Sequence, residues 1–142
     1  MSMDLATAQS IIGEALAAGE QDGFKPLTVV VLDPGGHVIA GARQDGASNN
    51  RFEIAQGKAY GALALGMGSR AIMERAEQQG YFIASVTAAL GGRLIPVPGG
   101  VLVRDADGTI KGAIGISGDS SDNDETAAST AIKAAGLTPQ VA

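Results

Sequence analysis

Two apolar stretches, each broken by an Asp- and Gly-rich turn, constrain this chain more than any other feature. Leu27 to Leu32 reads Leu-Thr-Val-Val-Val-Leu, Asp33-Pro34-Gly35-Gly36 follows, and His37 to Ala42 returns. Pro presets φ and Gly accepts φ > 0, so the spacing predicts a β-hairpin. A second hairpin is predicted at Val101 to Ile116, turning at Asp105-Ala106-Asp107-Gly108. Asp33 aligns with Asp105, Gly36 with Gly108 and Val38 with Ile110, an offset of 72 residues. Shared turn chemistry accounts for that likeness without a duplication. Both runs are apolar on both faces, whereas an antiparallel sheet open to water shows one polar face. Helices, or another subunit, are therefore expected to cover both sides.

The remaining segments supply those helices. Residues 4–19 carry Leu5, Ala8, Ile12, Ala15 and Leu16 on one helical face, with Asp4 as cap. Asn50 with Glu53 reads as a capping box opening a helix to about Leu65. Phe52, Ala55, Ala59, Ala62 and Leu63 form its packing stripe, and Gly57 and Gly61 keep it thin. Ser69 is read as the cap of a helix to about Gln79, and residues 81–90 as a further short helix. Asp122 with Glu125 reads as the capping pair of a final helix over about Asn123 to Ala135, ended by Gly136 and Pro139. The order helix, hairpin, helices, hairpin, helix predicts an α+β three-layer domain, an antiparallel sheet between helices.

Composition narrows the functional classes. At 142 residues the chain is one domain. The formal charge of −5 argues against nucleic acid and anionic membrane surfaces. There is no cysteine and one histidine, so disulfides, thiolate chemistry and multi-His metal centres are excluded. Only 18% of residues are charged, while 21 Gly and 25 Ala make up nearly a third of the chain. A surface so poor in charge is expected to meet other subunits, as a homo-oligomer. No apolar run is long enough to span a membrane, and the first residues lack a basic-then-apolar leader, so a cytoplasmic protein is expected.

Five places can carry chemistry. Arg43-Gln44-Asp45-Gly46 delivers an Arg–Asp pair to the rim of the sheet, where Arg43 can clamp a carboxylate; a plain surface pair explains it equally simply. Lys58 is the only charge between Ile54 and Gly68. Apolar surroundings make such a lysine a base, amine nucleophile or anion anchor, unless it snorkels to water. Pro98-Gly99-Gly100 can present backbone N–H groups to an anion or flat ligand, or simply turn. Gly115-Ile116-Ser117-Gly118 leads into a helix start, but Asp119, Asp122, Asp124 and Glu125 crowd it, so a phosphate loop is rejected. Those acids suit a hard cation or the helix dipole. His37 opens a strand and can ligate haem iron or move a proton, although a lone histidine is commonly structural. Tyr60, Tyr81, Met67 and Met73 are the other conceivable haem ligands, each more simply read as packing.

Several of these stretches together resemble one family. Val31-Leu32-Asp33-Pro34-Gly35-Gly36-His37, Arg43-Gln44-Asp45-Gly46-Ala47, Ile54-Ala55-Gln56-Gly57-Lys58-Ala59, Pro98-Gly99-Gly100, Gly112 to Gly118 and Asp124-Glu125 are similar to the GlcG/HbpS family, which also supplies the C-terminal domain of PduO-type proteins. The resemblance implies a profilin-like fold with about five antiparallel strands, and dimers assembled into tetramers or octamers. It implies haem binding, or a place beside glycolate or propanediol metabolism. It also marks Arg43, Asp45, Lys58, Ser117, Asp124 and Glu125 as the recurring polar positions. Leu102 departs from it, standing where many members carry Pro.

Three functions are expected in order. The first is a cytoplasmic oligomer binding haem or another flat anionic ligand, with Arg43 or Lys58 on its carboxylate, His37 as side-chain ligand, and Gly99, Gly100 and Ser117 lining the pocket. The second is a lyase or isomerase on a small organic acid or aldehyde, with Lys58 as base or amine, Arg43 as clamp, and Asp45 or Glu125 carrying the proton. The third is an accessory subunit of a metabolic complex. The first two require Arg43 and Lys58 to converge on one hollow.

Overall fold

The computed structural model describes residues 3–142. Both predicted hairpins form: β1 (Thr28–Leu32) with β2 (Val38–Arg43), and β3 (Gly100–Arg104) with β4 (Ile110–Ser117). They join along β1 and β4, and β5 (Thr138–Gln140) adds to β3. The sheet runs β2-β1-β4-β3-β5 with every neighbouring pair antiparallel. The reading of Gly136 and Pro139 together as the end of the last helix is thus corrected in part. Gly136 does end the helix, but Pro139 lies in β5 against Val103. Proline is tolerated there because an edge strand leaves one row of N–H positions unpaired.

Alternation along the strands explains why both faces are apolar. Val29, Val31, Val101, Val103, Ile114 and Ile116 point to one side, where α1 (Leu5–Gln21) and α5 (Ser121–Ala134) cover them. Val30, Leu32, Leu102 and Ala113 point to the other, against Ala55, Ala59 and Ala62 of α2 (Arg51–Leu65). Beside α2 lie α3 (Ser69–Gln78) and α4 (Gly80–Ala89), which share a third cluster of Ile72, Ile83 and Leu94. The result is the three-layer α+β architecture expected from the order of segments. None of the helices among the described residues is long and apolar enough to cross a membrane.

The thin α2 lies unusually close to the sheet. A Cβ at Gly115 would land on the Ala55 carbonyl oxygen, and one at Gly100 on that of Lys58. Those two glycines are register partners on β4 and β3. Their missing side chains set the depth at which α2 sits.

Three predicted caps are corrected. Asn50 precedes α2 but makes no side-chain cap hydrogen bond. Gly68, not Ser69, is the N-cap of α3. Ser120, not Asp122, caps α5, accepting from the Asn123 N–H. Each displaced side chain except Asn50 has a long-range partner instead, described below. Asp4 caps α1 as expected, accepting from the Thr7 N–H at 2.7 Å.

Candidate functional site

Lys58 and Arg43 do not share a hollow. Lys58 is buried, with 2% of its side chain exposed. Its Nζ donates to the Ile116 carbonyl oxygen at 2.8 Å and to Asp124 Oδ2 at 3.1 Å. Asp124 is 1% exposed, and its other oxygen accepts from the Asp119 N–H at 3.0 Å. Burial pushes the Lys58 pKa down and the Asp124 pKa up, and each charge opposes the shift of the other. The pair links the middle of α2 to the first turn of α5 around the end of the sheet. As an amine nucleophile Lys58 would have to leave both partners.

The glycines assigned to a ligand pocket make room for this lysine. Gly99 has φ +120°, and a Cβ there would lie 2.8 Å from both Lys58 Nζ and the Ile116 oxygen. The Gly100 N–H donates to Ser69 Oγ at 2.7 Å. Gly99, Gly100, Ser69 and Lys58 are all buried.

Arg43 is exposed at the end of β2, where Nη1 donates to the Ala47 carbonyl oxygen at 2.8 Å. It lines an open groove of about 510 Å³ with Leu16, Phe24, Pro26, Gln44 and Asp45. Lys58 lines neither this groove nor the two smaller recesses described below. The expected pocket between Arg43 and Lys58 is therefore corrected: one cation faces solvent in a groove and the other is enclosed in the core.

Ser117 and Glu125 have partners that spacing along the chain did not suggest. Ser117 is 1% exposed, and its Oγ accepts from Arg51 Nη1 at 3.0 Å. Glu125 Oε2 accepts from Arg70 Nε at 3.0 Å, and Asp122 pairs with the same guanidinium. The acids at the start of α5 thus neutralise Arg70 and Lys58 and hold backbone N–H groups. Asp119 accepts from the Lys25 N–H, from Asn123 Nδ2 and from the Ser120 N–H, which together hold its pKa down at about 2.

His37 stands at the opposite end of β2. Arg43 is six residues further on, roughly 20 Å away at strand rise. The His37 side chain is 82% exposed, and Nδ1 lies 3.3 Å from Asp33 Oδ1. The same Asp33 oxygen accepts from the His37 and Gly35 N–H groups, which fixes the turn. Nε2 has no partner among the described residues. A small recess of about 110 Å³ adjoins this turn, lined by Pro34, Gly35, Gly36, Tyr60 and Leu63. Gly36 has φ +85°, and a Cβ there would meet the Tyr60 ring at 2.6 Å. The Arg93 guanidinium stacks 4.0 Å from the centre of that ring. Neither Tyr60 nor Arg93 has an obvious signal linking it to His37, because the partners come from three separate segments.

Comparison with known proteins follows the same outline. No curated protein matches the chain. Among solved structures, a PduOC–haem complex superposes with TM-score 0.85 at 25% identity, covering 96% of this chain and 97% of that one. The Klebsiella pneumoniae protein ORFY, assigned to DUF336, gives 0.84 at 25% identity, with 94% and 90% covered. HbpS gives 0.80 at 26% identity, again with 94% and 90% covered. A family described as haem degrading protein HbpS-like matches residues 3–133, and the chain belongs to that family.

Proposed function

We infer that this protein binds haem, or a similar flat anionic ligand, at the His37 end of the sheet. The observation that carries the ligand class is the full-length likeness to a structure solved with haem, within a family described by haem chemistry. The residues present suit that group. His37 is the chain's only imidazole, and its Nε2 is open to solvent while Asp33 holds Nδ1. A ligating histidine commonly has its second nitrogen fixed in this way. Tyr60, Pro34 and Leu63 offer apolar surface, and Arg93 offers a cation for a carboxylate. Bound haem would supply an iron centre; His37 would offer an imidazole nitrogen to it, Tyr60 and Leu63 an apolar face, and Arg93 a counter-charge.

A recess of about 110 Å³ is far smaller than the roughly 300–1,000 Å³ typical of ligand pockets, so one protomer leaves such a ligand largely uncovered. Assembly into a cytoplasmic homo-oligomer, from dimer to octamer, would cover it. The low charge content supports assembly, as do the exposed Val38 and Tyr81 and the absence of any charged residue in α4. The test is a hemin titration followed at the Soret band. A saturable spectrum that changes position in His37→Ala is expected. Absence of saturable binding by the wild type would overturn the reading.

A further inference from the structure

The other end of the sheet holds a second set of groups suited to a ligand. Arg51, Lys25, Ser48, Gly46 and Gly118 line a recess of about 210 Å³. Arg51 is half-buried, and it donates through Nε to Ser48 Oγ at 3.1 Å and through Nη1 to Ser117 Oγ at 3.0 Å. Two neutral hydroxyls orient the guanidinium without neutralising it, and Nη2 has no partner among the described residues. Lys25 donates its backbone N–H to Asp119, while its exposed side chain forms no ion pair within 4.0 Å among the described residues. Asp119 attracts it electrostatically, but the Asp119 oxygens already accept from the Lys25 and Ser120 N–H groups and from Asn123 Nδ2.

A further buried group on this row is unsatisfied. Thr28 pairs in register with Arg43 on one side and Ser117 on the other. It is fully buried, and its Oγ1 has no hydrogen-bond partner among the described residues. Asn50, next to Arg51, leaves the start of α2 without a side-chain cap. Pro26 lines both this recess and the larger Arg43 groove, where Leu16 and Phe24 provide apolar surface. A cationic recess therefore opens beside a mixed groove, in which Leu16, Phe24 and Pro26 form an apolar strip next to Glu20, Arg43, Gln44 and Asp45.

We propose that Arg51 and Lys25 anchor the carboxylate of a small amphipathic organic acid, whose apolar tail crosses Pro26 into the groove beside Leu16 and Phe24. A monocarboxylate suits the site better than a phosphate dianion. Glu20 and Asp45 line the adjoining groove, and the chain as a whole is negative, so a second negative charge on the ligand is disfavoured. Arg forks match a carboxylate in two parallel hydrogen bonds. The assignment stands apart from the haem reading, since the two ends of the sheet are separate.

Titration calorimetry on the intact protein with hexanoate tests it, with hexanol and inorganic phosphate as comparison probes. Saturable hexanoate binding is expected, weakened at least tenfold in Arg51→Gln and severalfold in Lys25→Gln, and unchanged in His37→Ala. Lys25→Gln keeps the test meaningful if Arg51→Gln fails to fold, because the Lys25 side chain holds no other element. Hexanol binding as tightly as hexanoate would overturn the proposal by removing the anchor. Phosphate binding as tightly would overturn the tailed carboxylate. Hexanoate binding indifferent to both cationic positions, or lost with His37→Ala, would also overturn it.

Discussion

Lys58 Nζ lies 3.1 Å from the Asp124 carboxylate with both side chains out of contact with water, 66 residues apart in the chain. The pair pins α2, on one face of the sheet, to the start of α5, which covers the other. Its charges are hydrogen-bonded further by Ile116 and the Asp119 N–H, which is what lets a low-dielectric site hold them.

Removing one partner strands the other. Lys58→Met should destabilise the fold by about 3–5 kcal/mol, because Asp124 is left as an unpaired buried carboxylate. The double variant Lys58→Met with Asp124→Leu should recover most of that loss. Denaturant unfolding of the three proteins measures both. A Lys58→Met variant as stable as wild type would remove the pinning role.

Gly115 tests the close seating of α2. An added methyl would strike the Ala55 carbonyl oxygen, which belongs to helix backbone and cannot swing aside. Gly115→Ala should therefore cost about 1–3 kcal/mol through overpacking. Gly80→Ala serves as the control, since nothing lies near its missing Cβ and its backbone is not left-handed. A Gly115→Ala loss no larger than the control loss would contradict the account.

Asp119 sets part of the acid limb of stability. Three hydrogen bonds hold its folded pKa near 2, below the ordinary 3.8. A carboxyl with a depressed folded pKa contributes stability above its unfolded pKa and loses it as pH falls through the folded value. Its contribution should be complete above about pH 5 and decline between pH 4 and 2. Circular dichroism of unfolding across this range should show a shallower acid decline in Asp119→Asn. An unchanged slope would assign the decline to other carboxyls.

Much of the frame was legible because its signals are local. Asp-Gly turns marked both hairpins, and the small-residue stripe marked α2. β5 was not legible, because Thr138-Pro139-Gln140 is only three residues long with a proline at its centre, and it forms only against Val103 and its neighbours. Lys58 stood out as the lone charge in an apolar helix, yet its partner did not, since Asp124 sat among four acids that all suited a helix start. Ser69 looked like a cap but accepts from Gly100, 31 residues away. Arg51 carried no signal of its own beside the Asn50–Glu53 pair, yet its guanidinium reaches Ser117, 66 residues away. Residue type indicated which groups were available; only the fold decided which of them met.

The proposed haem-like ligand lies at the His37 end of the sheet and not at the Arg43 end. Hemin affinity and Soret position, measured in parallel for the wild type, His37→Ala, Arg93→Ala and Arg43→Ala, distinguish the two ends. The account predicts a displaced Soret band in His37→Ala, weaker binding in Arg93→Ala, and wild-type behaviour in Arg43→Ala. Binding abolished in Arg43→Ala, with an unaltered spectrum in His37→Ala, would contradict it.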